Sequence, residues 1–126
     1  MFADRMLPDA PDVTAPDGSD VRLLCALQRG SMAHFSLGPG LVSKAVRHLT
    51  VEEIWYITAG EGEMWRMADG VAEITALRRG LSLTIPTGAA FQFRATGDAA
   101  LEAVAITMPP WPGAGEAVLV PGVWEI

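Results

Sequence analysis

Residues 48–60 read HLTVEEIWYITAG, and the rest of this 126-residue chain can be understood around them. The stretch opens with a polar cluster that includes His48 and Glu53. It continues as a run rich in β-branched and aromatic residues, which favours a strand. Gly60 and Gly62 then favour a tight turn. The pattern predicts a turn that delivers an imidazole and a carboxylate to the mouth of a buried strand.

Short strand-like segments separated by turn signals continue on both sides of this stretch. Asp69-Gly70 is a strong hairpin signal, because both positions tolerate a positive φ. No segment shows ten residues of helical periodicity, so the sequence predicts an all-β sandwich or barrel. Apart from the strand within 48–60, the predicted strands are residues 21–27, 32–37, 41–49, 63–67, 71–77, 81–85, 89–95 and 101–107.

Composition indicates one globular domain, since half of the residues are apolar and 19% are charged. No apolar run approaches the roughly 20 residues of a membrane span, and no signal peptide is recognisable at the N-terminus. The single cysteine, Cys25, excludes an internal disulfide, and its leucine neighbours predict a buried thiol. These features favour a cytoplasmic protein without a membrane partner. Basic residues cluster only at Arg78-Arg79, which argues against a nucleic-acid partner.

The two ends of the chain differ from its centre. Residues 1–20 contain five aspartates and one arginine, so this arm carries most of the formal net charge of −6. The arm is predicted to be either a frayed leader or an extended segment laid across a partner subunit. Residues 108–126 hold prolines that cannot continue a central strand. We expect them to leave the sheet as a tail that packs on the barrel, with Trp111 and Trp124 buried.

Two motifs in order make residues 21–107 resemble the cupin family. The first cupin motif has a His-x-His pair, then a Glu, and a Gly seven residues later. Glu53 and Gly60 match that interval, and His48 takes the place of the second His. The second motif is similar to Gly80-x5-Pro86-x-Gly88. The resemblance implies a single-domain double-stranded β-helix, a jelly-roll barrel, and leaves open isomerases, epimerases, lyases, dioxygenases and ligand-binding modules.

The resemblance also implies a metal site, and here the sequence departs from the family. Val46 stands at the first His position, Phe91 at the His of the second motif, and Ala95 at its usual Asn. Hydrocarbon side chains offer no lone pair, and two remaining ligands are too few for a catalytic metal. We therefore expect no metal and no other cofactor.

His34 provides the alternative, since it is the only other histidine in the chain. If the face of Phe35 and Leu37 pointed outward, His34 would point into the barrel and could complete a metal site with His48 and Glu53. That arrangement predicts a metal-dependent isomerase, epimerase or dioxygenase. If the face of Phe35 and Leu37 is core, His34 meets solvent.

Without a metal, His48 and Glu53 are the candidate catalytic or ligand-anchoring residues. A neutral imidazole beside a carboxylate is a candidate general base whose pKa the carboxylate would raise. The alternative is a hydrogen-bonded pair that only closes the turn. Glu52 competes for the inward position, but strand parity places Glu53 on the same face as Trp55.

The replaced ligand positions also predict the character of the barrel interior. Phe91 and Phe93 share strand parity, and with Trp55, His34 and Met64 they would line a mainly apolar pocket. Such a pocket suits a small organic molecule with a ring or a short apolar body. A filled core without a cavity is the alternative, and the chain would then be a non-catalytic scaffold for association.

Apolar residues such as Ile54, Tyr56 and Ile57 occupy both faces of the central strand, which is more than one core requires. An apolar outer face of this kind predicts a subunit interface, and a symmetric homodimer is its simplest form.

Overall fold

A computed structural model describes all 126 residues, and it is almost entirely β-sheet. The only helical segment is a three-residue 3-10 turn at Ala114–Glu116, and no helix is long and apolar enough to cross a membrane. The strands are β1 (Val13–Thr14), β2 (Asp20–Leu27), β3 (Gly30–Leu37), β4 (Val46–His48), β5 (Glu52–Ala59), β6 (Glu61–Ala68), β7 (Val71–Arg78), β8 (Ser82–Ile85), β9 (Ala90–Ala95), β10 (Leu101–Met108) and β11 (Ala117–Leu119).

The strands form two antiparallel sheets that enclose one apolar core. The first sheet has the order β1-β2-β3-β10-β5-β8, and the second has the order β11-β4-β9-β6-β7. Alternate residues point inward, so that Trp55 and Ile57 of one sheet share the core with Phe93 of the other. This architecture confirms the predicted all-β double-stranded β-helix.

The turn between β5 and β6 is one of the places where the chain passes from one sheet to the other. Gly60 has a φ of 78°, in the left-handed region that favours glycine. A Cβ at Gly60 would overlap the carbonyl oxygen of Ala100, and one at Gly62 would overlap that of Arg94. Both glycines of this turn are therefore required by close backbone approach.

The prediction of a strand over residues 41–49 was too long. Only Val46–His48 forms a strand, and Val42 makes an isolated bridge with Arg94. The intervening backbone is fixed by hydrogen bonds to two separate segments: Ser43 N donates to Phe93 O at 2.8 Å, and Lys44 N donates to Asp17 O at 2.7 Å. These bonds replace the regular ladder that the sequence pattern suggested.

The N-terminal arm folds back onto its own chain, so the part around β1 is not a frayed leader, and the alternative that the arm crosses a partner subunit stays a prediction. β1 pairs with β2, with Val13 opposite Val21 and Thr14 opposite Asp20. Farther out, the Arg22 guanidinium donates to the carbonyl oxygen of Pro8 at 2.8 Å. Cys25 lies on the strand that the arm covers, but it is exposed rather than buried as expected.

The C-terminal tail also lies on the barrel. It adds β11 to the edge of β4, with Ala117 opposite His48. Its end is held by the buried side chain of Gln92, which donates to Trp124 O at 2.8 Å and accepts from the amides of Val123 and Trp124. The Arg94 guanidinium stacks over the Trp124 ring, 4.4 Å from its centroid.

Candidate functional site

A cavity of about 570 Å³ opens at one end of the barrel beside His48 and Glu53. Most of its wall is apolar. Four segments contribute: the arm around β1, the inner face of the first sheet, the β4 and β9 edge of the second sheet, and the tail. The polar residues of the wall are Thr14, Asp17, Ser31, His48, Glu53 and Thr107.

His48 and Glu53 come together because a short loop connects β4 to β5. His48 ends β4 and Glu53 is the second residue of β5, where strand parity points its side chain inward with Trp55. His48 Nδ1 lies 3.7 Å from Glu53 Oε1, which is too long for a hydrogen bond, and Nδ1 has no other protein partner. Both side chains are almost completely buried.

The loop between these two residues is fixed by Glu116 of the tail. The Glu116 carboxylate accepts from the amides of Thr50 at 2.6 Å and Val51 at 2.7 Å, and from the Thr50 hydroxyl at 2.9 Å. Burial alone would raise the pKa of Glu116, but these donors outweigh it and hold the pKa below its usual value. Glu116 therefore positions the start of β5, and with it Glu53.

Burial shifts His48 and Glu53 in opposite directions. Desolvation disfavours the imidazolium and lowers the pKa of His48 to about 4, although the Glu116 carboxylate partly opposes the shift. Desolvation also disfavours the carboxylate and raises the pKa of Glu53 to about 7; Asp17 adds to the rise, and the Trp55 indole opposes it. The expectation that Glu53 would raise the pKa of His48 is wrong, because loss of water outweighs the partner. Glu53, with a pKa near neutrality, is the better suited of the two to proton transfer.

Aromatic rings surround this pair. Trp55 stacks on Phe35 with ring centroids 5.1 Å apart and meets the edge of Phe91 at 6.4 Å. The His48 ring lies edge-on to Phe91 at 5.2 Å and to Trp111 at 5.1 Å. The indole NH of Trp55 donates to Glu53 Oε1 at 3.3 Å. The rings thus form a continuous wall against which the two polar residues are set.

Of the residues expected at the pocket, His48, Glu53, Trp55 and Phe91 line the cavity. Met64 and Phe93 do not line it. They face each other across β6 and β9 and are fully enclosed in the hydrophobic core. Parity predicted correctly that Phe93 points inward, but the cavity does not extend that far along the strand.

His34 is also absent from the cavity wall, contrary to the pocket prediction. It lies on the outer face of the first sheet, opposite Val104, because Phe35 and Leu37 take the inward positions. His34 is nevertheless buried, and its Nε2 lies 3.1 Å from Glu102 Oε1. The structure therefore does not bring His34 together with His48 and Glu53.

The parts of the wall that come from the two ends of the chain were not predicted from the sequence. Residues 13–17 cover one side, and Pro110, Trp111 and Ala114 cover another. A signal for the first was present: the Pro16-Asp17-Gly18 turn lies between a β-branched pair and a strand, which is a hairpin pattern. For the tail, Trp111 was considered as a cap, but nothing local indicated that it would meet His48.

Comparison with known proteins agrees with this architecture. A family model described as the cupin domain matches residues 33–107, which is more than half of the chain. The chain belongs to the cupin family. No curated protein matches this cupin.

Solved structures resemble this cupin at low sequence identity. Recombinant oxalate oxidase in complex with glycolate has a TM-score of 0.74 at 22% identity, covering 94% of this chain and 62% of the other. CapF from Staphylococcus aureus, a capsular polysaccharide assembling protein, has a TM-score of 0.71 at 14% identity, with 84% of this chain covered. This cupin spans only about a third of that CapF chain. Drosophila melanogaster CENP-C bound to CAL1 has a TM-score of 0.65 at 16% identity, covering 72% and 71% of the two chains. At these identities the likeness shows the fold alone.

The metal site implied by the cupin motifs does not fit the residues present. Hydrocarbon side chains of Val46 and Phe91 occupy two of the ligand positions, and both are buried against their neighbours. No group of three or more His, Cys, Asp or Glu side chains is placed to hold a metal ion. His48 and Glu53 alone fall short of the three protein ligands that a catalytic site requires.

Proposed function

We propose that this cupin binds a small organic molecule in the cavity beside His48 and Glu53, and does so without a metal. The carrying observation is the cavity itself, whose volume of about 570 Å³ lies within the range of small-molecule pockets. Its mainly apolar wall with a few polar groups is the composition that such pockets share.

The open volume favours a binding function over a filled scaffold. Val46 and Phe91 stand at positions where the cupin motifs carry metal ligands, but their side chains do not fill the space beside His48. The packed rings of Phe35, Trp55 and Phe91 give that space a rigid wall. A rigid apolar surface reduces the conformational entropy that the protein loses when a ligand binds.

The test is binding of a neutral aromatic probe, benzyl alcohol, followed by isothermal titration calorimetry and by intrinsic tryptophan fluorescence, to which Trp55 and Trp111 of the cavity wall contribute. Ala33→Phe places a ring into the cavity from β3, and we expect it to abolish binding while the chain remains folded. Ala72→Phe, at an exposed position of β7, should leave binding unchanged. Equal binding by all three proteins, or none by the unsubstituted chain, would contradict the proposal.

The rival proposal is a metal-dependent enzyme. Elemental analysis of protein purified without chelator or immobilised-metal chromatography distinguishes the two. About one equivalent of bound transition metal per chain would contradict a metal-free site built on two side chains.

A cytoplasmic location completes the proposal. The one cysteine, Cys25, is free and exposed, and an exposed thiol without a disulfide partner suits a reducing compartment. Expression of a fluorescent fusion in a bacterial host, followed by fractionation, checks this location.

A further inference from the structure

We propose that the cavity selects an organic cation, an ammonium group carried on a ring or short apolar body, and discriminates against carboxylates and phosphates of the same size. This inference rests on the proposed binding function and specifies the ligand class.

The cavity wall contains carboxyl groups but no lysine or arginine side chain. The chain has nine lysine and arginine residues, and none of them lines the cavity. Three of the arginines are engaged elsewhere: Arg22 bonds to the arm, Arg66 donates to Thr84 O and Glu73, and Arg94 pairs with Glu63. An anion in the cavity would therefore meet no cationic side chain, and its desolvation would go uncompensated.

Two buried carboxyl groups line the same space. Glu53 receives its only side-chain hydrogen bond from the Trp55 indole. Asp17 accepts from the amide and hydroxyl of Ser19 through Oδ1, and it is close enough to Glu53 to contribute to the raised pKa of that group. A cation between them would relieve this repulsion, because an opposite charge favours the ionised form of both carboxyls.

The remaining ionisable group does not offset this negative character. Burial keeps His48 neutral at neutral pH by lowering its pKa to about 4. The hydroxyls of Ser31 and Thr107 are hydrogen-bonded to each other, Thr107 Oγ1 also donates to Ser31 O at 3.4 Å, and Trp111 N donates to Ser31 Oγ at 3.0 Å. The Thr14 hydroxyl and the one N–H of the neutral His48 ring remain as donors, and isolated neutral donors do not replace a cationic side chain for an anion.

The aromatic wall supplies the second feature that a cation requires. Phe35, Trp55, Phe91 and Trp111 all line the cavity. The faces of aromatic rings carry negative partial charge and attract ammonium groups, most strongly when water is excluded. Aromatic rings combined with carboxylates are the recognised surroundings of organic ammonium ligands, whereas either feature alone would be ambiguous.

Three probes of one shape test the inference: benzylammonium, benzyl alcohol and benzoate, titrated calorimetrically into the full chain at pH 8, where the first and last carry opposite charges. We expect benzylammonium to bind at least about tenfold more tightly than benzoate, since one favourable and one unfavourable charge interaction separate them. Glu53→Gln and Asp17→Asn should each weaken benzylammonium by about fivefold or more and leave benzyl alcohol within about twofold.

Glu52→Gln and Asp20→Asn are matched controls, because both carboxylates are exposed. Neither should change the ranking of the probes. Binding of benzyl alcohol with benzoate equal to or tighter than benzylammonium would overturn the charge selection while leaving the cavity as a binding site. Failure of all three probes to bind would instead contradict the proposed function. If Asp17→Asn is unstable, Glu53→Gln alone decides, because its side chain makes no bond that holds a turn.

Discussion

His48 and Glu53 are two ionisable side chains buried beside each other, and desolvation leaves both of them uncharged at mildly acidic pH. Between about pH 4.5 and 6.5 the unfolded chain carries a proton on the histidine, while the folded chain carries one on the glutamate. The number of bound protons is then the same in both states. The pair should contribute little pH dependence to the free energy of unfolding in this window, although each residue alone contributes a steep one.

Removing one member should expose the contribution of that member. The pKa of Glu53 is raised from 4.5 to about 7, so its contribution to stability is fully present below pH 4.5 and is lost as pH rises through 7. Glu53→Gln lacks this loss. We therefore expect the stability of Glu53→Gln relative to the unsubstituted chain to rise by roughly 2–3 kcal/mol between pH 5 and pH 8.

Urea denaturation at the two pH values measures this difference. Glu52→Gln is the control, since the neighbouring side chain points to the outer face and is exposed. If the free energies of unfolding of Glu53→Gln and of the unsubstituted chain differ by the same amount at pH 5 and pH 8, Glu53 is not desolvated in the folded protein.

At the scale of single residues, the sequence predicted which way the side chains of β5 point but not how completely they are buried. Alternation along β5 identified Glu53, Trp55 and Ile57 as one face, and the structure buries all three. The sign of the His48 pKa shift was wrong because it depends on how much of the ring is covered. That cover comes from Phe91 and Trp111, which are 43 and 63 residues away in the sequence.

Among the elements, the 3-10 turn Ala114–Glu116 has the clearest connection to the site. Three hydrogen bonds from its carboxylate fix the loop that precedes β5. Glu116→Ala leaves the buried amide of Val51 without its acceptor, and we expect a loss of about 2–4 kcal/mol in the free energy of unfolding. We also expect weaker binding of benzylammonium, because Glu53 is carried by the loosened strand.

Glu116→Gln keeps an acceptor oxygen and should recover most of the stability. Glu125→Ala, an exposed carboxylate farther along the tail, should have little effect. Thermal denaturation of the three variants is sufficient. Equal stability of Glu116→Ala and Glu125→Ala would show that the loop does not depend on this carboxylate.

The elements also show where prediction from sequence succeeded and failed. The Asp69-Gly70 hairpin and the Gly60 turn were predicted because their backbone requirements are local. The prediction of a strand over residues 41–45 was wrong because their hydrogen-bond partners, which include Phe93 and Asp17, are distant in the sequence. The short strand β1 was not predicted either, because its two residues carry too little sequence pattern to be recognised without their pairing to β2.

At the scale of the whole molecule, the outer face of the first sheet remains open in the single chain. Ile54 and Tyr56 are 46% and 50% exposed, and in register they flank Ile106 and Val104 of β10. Ile57 does not belong to this face; it lies in the core. A contiguous apolar face is best covered by a second copy of the chain, since two identical patches match in character and size.

We therefore expect a homodimer that Ile54→Lys converts to a monomer. Ile74→Lys, an equally exposed isoleucine on β7 of the other sheet, should remain dimeric. Sedimentation velocity at micromolar concentration distinguishes these outcomes. A monomeric unsubstituted chain under those conditions would contradict the prediction.

The cavity wall has one consequence for how this protein changes over generations. About two thirds of the residues that line the cavity lie outside residues 33–107, in the segments before and after the region that the family shares. Those in residues 13–17 and 110–117 also lie outside the strands β2 to β10, so mutations there can reshape the chamber without disturbing the main strands of the jelly roll. Ligand specificity can therefore change by mutation in these segments while the β-barrel keeps its structure.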